Sequence, residues 1–237
     1  MKIGIIIAME KELQQLKSLL TDASTEVHNG KNFYLGRMGR HEIVMQQCGI
    51  GKVNAAVGCV EMITHYHPEV IISSGCAGGG STQLNIQDVV VSSSLTYHDV
   101  YCGTAIGSSE YGQVQGLPAR YESPRELVDI ALSLNEAPVT DVTSSRIHEG
   151  LIVTGDWFVD SKEKMREIMG HFPDAMAVDM ESCAIAQTCY LYQVKFISFR
   201  VISDIPLKDD HAAQYHDFWS HVAEESFTVT RSFIEKL

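Results

Sequence analysis

The sequence predicts an α/β fold of three layers, α/β/α, built around a mixed central sheet. Three observations carry the expectation. Candidate strands alternate with candidate helices along the chain, the pattern of layered α/β domains. Runs such as Val70-Ile71-Ile72-Ser73-Ser74-Gly75 are apolar without strict alternation, as strands covered on both faces are. The 237 residues contain no linker or low-complexity tract, so residues 1–237 are expected to form one domain.

The elements follow in order. Lys2 to Ala8 is a continuous apolar strand. Glu10 to Leu20 brings Leu13, Leu16, Leu19 and Leu20 to helical spacing, with Glu10 and Glu12 in the first turn. Further strands are predicted over Phe33 to Met38, Glu42 to Cys48, Val70 to Ser74, Val89 to Leu95, Gly150 to Thr154, Ala175 to Asp179 and Lys195 to Ile202. Helices are predicted over Val53 to His65, Pro124 to Leu134, Lys162 to Met169, Glu181 to Tyr192 and Asp217 to Ile234. The opening MKIGIIIAMEKE meets charge within a few residues and has no small-residue cleavage site, so it reads as a first strand and not a signal peptide. No apolar run reaches the roughly 18 residues of a membrane span.

Composition narrows the partners. A formal charge of −12 leaves no basic face for nucleic acid or an anionic membrane, so small or neutral molecules are expected. The six cysteines, Cys48, Cys59, Cys76, Cys102, Cys183 and Cys189, form no CxxC pair and no zinc spacing, and read as reduced thiols of a cytoplasmic protein. The histidines offer no metal spacing either: His98 suits local structure, His65 and His67 lie beside Pro68, and His211 and His216 fall in a polar stretch read as a loop.

In such sheets ligands bind beyond the carboxyl ends of the strands. Those ends carry AMEKE, CGIGK, SSGCAGGG, TGDWF, VDME and RVISD. Any one of them is a plain turn; together they place Glu12, Asp156, Asp179, Glu181 and Asp204 near one another, with Arg200 the main cation and Lys52 a second. A phosphate dianion wants Arg or Lys beside its backbone cradle, and SSGCAGGGSTQ has neither. The site therefore suits a neutral ligand, or one that becomes positive.

The six segments MKIGIIIAMEKE, CGIGKVNAA, SSGCAGG, TGDWF, VDMES and FRVISD share the order and spacing of the 5′-methylthioadenosine/S-adenosylhomocysteine nucleosidases, in the purine nucleoside phosphorylase superfamily. The chain resembles that family from Met1 to about its last helix, and several motifs at consistent spacing are more specific than any one. The resemblance implies a nucleoside phosphorylase-like fold and hydrolysis of the adenine–ribose bond of an adenine nucleoside. It also implies no metal or cofactor, and a cytoplasmic homodimer whose partner subunit completes the 5′ pocket, through the segment Cys102 to Pro118. Two rival classes share the fold: a phosphate-dependent phosphorylase and a non-catalytic nucleoside-binding protein. Futalosine hydrolysis is a third variant of the chemistry.

Residue by residue, the resemblance makes Asp204 the general acid that protonates purine N7, oriented by Ser203, and Glu12 the general base for water, held with that water by Arg200. Glu181 would bind the ribose hydroxyls with Met180 packed on the sugar, Phe158 would stack on adenine, and the Val159 backbone would read the purine edge. Met9, Ile50, Met180 and Tyr215 would line the 5′-alkylthio pocket, and Trp157 would pack nearby. Cys76 departs from the pattern: a serine commonly stands there to help position the water, and a thiol is the weaker hydrogen-bonding group. A step of two residues on a helix turns a side chain by about 200°, so Asp179 and Glu181 should not share one ligand unless the helix begins between them. Asp179 therefore reads as a helix cap or the partner of a buried polar group. For Asp204 to keep a proton near neutral pH its pKa must be raised, as burial beside other acids would do.

Overall fold

The computed structural model describes residues 1–104, 110–136, 145–222 and 228–237. Its strands are β1 (Lys2–Ile7), β2 (Thr21–His28), β3 (Lys31–Met38), β4 (His41–Gln47), β5 (Val70–Gly79), β6 (Val89–Tyr97), β7 (Tyr121–Glu122), β8 (Ile147–Thr154), β9 (Ala175–Asp179) and β10 (Lys195–Asp204). The helices are α1 (Glu10–Lys17), α2 (Lys52–Tyr66), α3 (Arg125–Leu132), α4 (Lys162–His171), α5 (Ser182–Tyr192), α6 (His211–Asp217) and α7 (Thr228–Lys236).

The strands pair in one mixed sheet. β5 lies parallel to both β1 and β10, β10 runs antiparallel to β6, β6 is parallel to β8 and β8 to β9, and β9 returns antiparallel to the end of β5. Five strands thus close into a ring, while β1, β4, β3 and β2 extend from β5 as an open arm. Alternate strand residues face opposite sides. Ile3, Ile5 and Ile7 of β1 pack with Leu13 and Leu16 of α1, Leu127 of α3 and Phe233 of α7; Ile6 packs on the other side with Cys59 and Met62 of α2 and Ile185 of α5. Helices therefore cover both faces, and the three-layer expectation is met.

Several boundaries differ from the sequence reading. The polar β2 is exposed along nearly its whole length as the sheet's edge, so it carries no apolar alternation to reveal it. The glycine-rich SSGCAGG is not a loop after a strand: β5 continues through Gly79 because β10 and β9 pair with it there. The single C-terminal helix expected from Asp217 begins earlier, at His211, passes through a π-helical turn over Phe218–Val222, and resumes at Thr228; residues 223–227 of that prediction lie outside the described residues. The stretch holding His211 and His216 is helical because Gln214 pins it, accepting the Ile205 N–H (3.0 Å) and donating to Asp210 (3.0 Å).

Candidate active site

The ends of β1, β5, β9 and β10 converge on a cleft that is open to solvent. Met9 enters from the cap of α1 and Glu12 from its first turn, Ile50 from the loop before α2, Cys76 from β5, and Phe158 and Val159 from the loop after β8. Met180 and Glu181 stand between β9 and α5, Ser203 and Asp204 end β10, and Tyr215 comes from α6. Every residue predicted for the site lines the cleft except Arg200, which is buried behind it.

Glu12 is 2% exposed and fixed at both oxygens. Its place three residues after the helix cap lets Oε2 accept the Met9 N–H (3.0 Å), the returning half of a capping box. Oε1 accepts the Cys76 N–H (2.9 Å) from β5. Burial pushes its pKa up, opposed by these backbone donors and the nearby Arg200 charge. Gly75 makes the meeting possible: a Cβ there would lie 3.0 Å from Glu12 Oε1 and 3.4 Å from Arg200 Nη1.

Arg200 does not hold Glu12 by hydrogen bonds. Among the described residues its guanidinium donates to Asp179 Oδ2 (2.7 Å), Ser73 Oγ (2.9 Å) and the Phe199 carbonyl (3.2 Å). Burial disfavours its charge, and Asp179, Glu181 and Glu12 more than restore it. Asp179 is the anchor of this pair and also accepts the Ser182 N–H at the start of α5 (3.0 Å) and the Thr154 hydroxyl. It is thus both cap and buried partner, as the sequence suggested.

Helix α5 starts only at Ser182, after both acids, so the rotation that would have separated Asp179 from Glu181 on a helix does not operate, and both reach the cleft. Glu181 accepts the Gly51 N–H (2.9 Å). Burial, and then the Asp179 charge, raise its pKa above the usual carboxylate range.

On β10 the register with β5 slips between Ile202 and Asp204, leaving Ser203 as an extra residue. Such a bulge re-aims side chains, and here two consecutive ones face the same cleft. Ser203 Oγ donates to Asp204 Oδ1 (2.8 Å). Burial raises the Asp204 pKa; the Ser203 hydrogen bond and His211 pull it down. Burial alone does what was expected of burial with neighbouring acids.

The Cys76 thiol sits beside Glu12, and burial with that carboxylate keeps it protonated. Phe158 is 56% exposed and meets Tyr215 edge to face at 5.5 Å, so the two rings form an open aromatic wall. Trp157 is not packed away: it is 53% exposed, lines the cleft, and carries Lys164 over its ring at 4.7 Å. Sequence reasoning missed Ser73, Gly75 and Thr154 as supports; only the pairing of β5, β8 and β10 brings them to the acids. Of the segment Cys102 to Pro118, residues 105–109 lie outside the described residues.

Known proteins resemble this chain along nearly its whole length. The phosphorylase superfamily model matches residues 2–235. The chain is 43% identical over 205 residues to the 5′-methylthioadenosine/S-adenosylhomocysteine nucleosidase of Exiguobacterium sp., covering 86% of this chain and 85% of that one. It is 38% identical to the nucleosidase of the same name from Chromohalobacter salexigens, covering 100% and 97% of the two chains. Among solved structures, the S-adenosylhomocysteine nucleosidase of Streptococcus pyogenes in complex with 5-methylthiotubericidin superposes with a TM-score of 0.90 at 36% identity, covering 100% and 97%. The 5′-methylthioadenosine/S-adenosylhomocysteine nucleosidase of Colwellia psychrerythraea in complex with adenine superposes with 0.92 at 34%, covering 100% and 96%. From its first strand to its last helix, then, the chain belongs to the phosphorylase superfamily and, within it, to the 5′-methylthioadenosine/S-adenosylhomocysteine nucleosidases.

Proposed function

We propose that this enzyme hydrolyses the N-ribosidic bond of 5′-methylthioadenosine and S-adenosylhomocysteine, releasing adenine and the 5′-thio-substituted ribose, and that residues 1–237 act as one catalytic unit. The observation that carries the reading is the pairing of two buried carboxyls in one cleft: Glu12, gripped at both oxygens by backbone N–H groups, and Asp204, gripped by Ser203. Adenine leaves poorly as an anion, so Asp204, whose burial favours the protonated form, donates to purine N7 as the bond lengthens. The sugar gains oxocarbenium character, and Glu12 takes a proton from the attacking water. Burial raises the pKa of Glu12, while the Cys76 N–H, the Arg200 charge and the Met9 N–H oppose that rise and favour the anion a base needs. Glu181 receives the ribose hydroxyls, Phe158 and the Val159 backbone receive the purine, and Met9, Ile50, Met180 and Tyr215 face the 5′ substituent.

Hydrolysis is favoured over phosphorolysis by charge. Among the described residues the buried cation, Arg200, is committed to Asp179 and Ser73, and the cleft is lined by the carboxyl groups of Glu12, Asp179, Glu181 and Asp204. Incubating the enzyme with each nucleoside, with and without phosphate, and identifying the sugar is the test. Free thioribose sugar without phosphate is expected; ribose 1-phosphate formed only with phosphate makes it a phosphorylase, and binding without adenine release makes it a binding protein.

Ile50 lines the cleft yet is 52% exposed; Val53 and Val57, which follow it in sequence, are exposed as well, and so is Tyr101. A second copy covering these residues gives a homodimer with a shared 5′ pocket. The cytoplasm is the compartment in which six free thiols stay reduced.

A further inference from the structure

Three loops meet at the rim of the cleft, and one carboxylate ties them together. Asp99, two residues past β6, accepts two hydrogen bonds from Lys52 Nζ, 2.8 Å to Oδ1 and 2.7 Å to Oδ2. Its Oδ2 also accepts the Asp156 backbone N–H (2.8 Å). Asp156 closes the circuit: its Oδ1 accepts the Lys52 backbone N–H (2.8 Å) at the first turn of α2, and its Oδ2 lies 3.8 Å from Lys52 Nζ.

Two of the tied loops serve the two halves of the pocket. Gly51, next to Lys52, holds Glu181 through its N–H, at a φ of 95° that side chains rarely adopt. A Cβ on Gly51 would lie 3.0 Å from Asp156 Oδ1, so the two loops are in close contact. Asp156 leads directly into Phe158 and Val159. His98, beside Asp99 and 3% exposed, backs that loop: a Cβ on Gly155 would fall 2.3 Å from its ring, and the His98 N–H donates to the Thr154 carbonyl (2.8 Å). Neither Asp99 nor Lys52 lines the cleft.

We infer that Asp99, with Lys52 and Asp156, is a positioning residue that holds the sugar-binding carboxylate Glu181 and the purine-stacking loop in one register, so that the enzyme selects purine and ribose joined over either alone. The inference rests on the roles given to Glu181 and Phe158 in the proposed function. The Lys52 and Asp99 side chains are 23% and 27% exposed, so solvent screens part of the ion pair's contribution to stability; its effect on the site is geometric.

That contrast sets the test. Asp99→Asn keeps the size of the side chain and removes its charge and one acceptor oxygen. The KM for methylthioadenosine should rise about 5- to 20-fold, less than the full loss of a charge-assisted hydrogen bond because the Asn oxygen still accepts. Affinity for adenine, which engages only one of the tied loops, should change less, and the melting temperature should stay near that of the unmodified enzyme. Lys52→Met should reproduce this pattern, Lys52→Arg should restore most of the KM, and the Asp99→Asn/Lys52→Met pair should be no worse than either alone. If Asp99→Asn does not fold, Lys52→Met carries the same comparison. An unchanged KM, or equal losses for nucleoside and adenine accompanied by a lower melting temperature, overturns the inference. Adenine release by the unmodified enzyme tests the nucleosidase reading separately: if none occurs that reading falls, and the ratio of nucleoside to adenine affinity in the same variants still decides the role of Asp99.

Discussion

At the scale of single residues, the three pocket carboxyls with raised pKa values make opposite demands on stability and on chemistry. Burial raises the Asp204 pKa, so between its ordinary and its folded value the folded chain holds a proton that the unfolded chain has released. Stability contributed by that carboxyl is therefore fullest at low pH and is lost as pH rises through the folded value. Asp204→Asn removes this loss, and its amide oxygen can still accept from Ser203. We expect a melting temperature at or above that of the unmodified enzyme at pH 8, with kcat lower by roughly 100-fold or more. The alkaline limb of kcat/KM, set by deprotonation of Asp204, should disappear from the residual activity; a limb that persists assigns the proton elsewhere. Glu12→Gln should lose a similar factor in kcat but melt lower than Asp204→Asn. One of its two backbone donors would face an amide NH₂, at a cost of about 1–3 kcal/mol. Cys76→Ser puts a stronger hydrogen-bonding group beside Glu12, and a small gain in single-turnover rate is expected. An unchanged rate with a lowered melting temperature assigns Cys76 to packing.

At the scale of elements, the site is made by strands that run further than their sequences suggest. A glycine-rich stretch reads as a loop because glycine weakens a strand. Here β5 keeps its ladder through Gly79, since pairing with β10 and β9 outweighs propensity and the missing side chains leave room for Glu12 and Arg200. Gly75 faces Arg200 across that ladder. Gly75→Ala should displace the Glu12 carboxylate by a few tenths of an ångström, and kcat should fall about 10-fold or more, while the KM changes less. Equal kcat in a folded Gly75→Ala enzyme would show that the base tolerates the shift. The slip in β10 is equally silent in sequence: FRVISD alternates no differently with or without a bulge, yet the bulge brings Ser203 and Asp204 to one cleft.

At the scale of the whole molecule, the exposed apolar residues Ile50, Val53, Val57 and Tyr101 distinguish a free monomer from a subunit. Val53 is 74% exposed, so Val53→Asp should leave the folded chain intact. In the shared-pocket proposal it should shift sedimentation from dimer to monomer and raise the KM for S-adenosylhomocysteine, whose long 5′ substituent needs the second copy most. A variant that sediments as a monomer and keeps its KM ends the shared-pocket proposal.

The layered α/β architecture is legible along the chain, because buried strands and amphipathic helices are written in local apolar patterns. The sequence also marked Glu12, Glu181 and Asp204 at strand ends, because acids amid apolar runs have few places to go. Tertiary structure decided what those acids meet. Asp179 could be read as a cap from its position ahead of a helix, but its ion pair with Arg200 spans 21 residues and exists only because β9 and β10 both pair with β5. The ring of five strands, the bulge at Ser203 and the Lys52–Asp99–Asp156 tie share that character. Each is fixed by hydrogen bonds between distant segments, and a pattern read along the chain records what a residue avoids or prefers, not which partner the fold will bring to it.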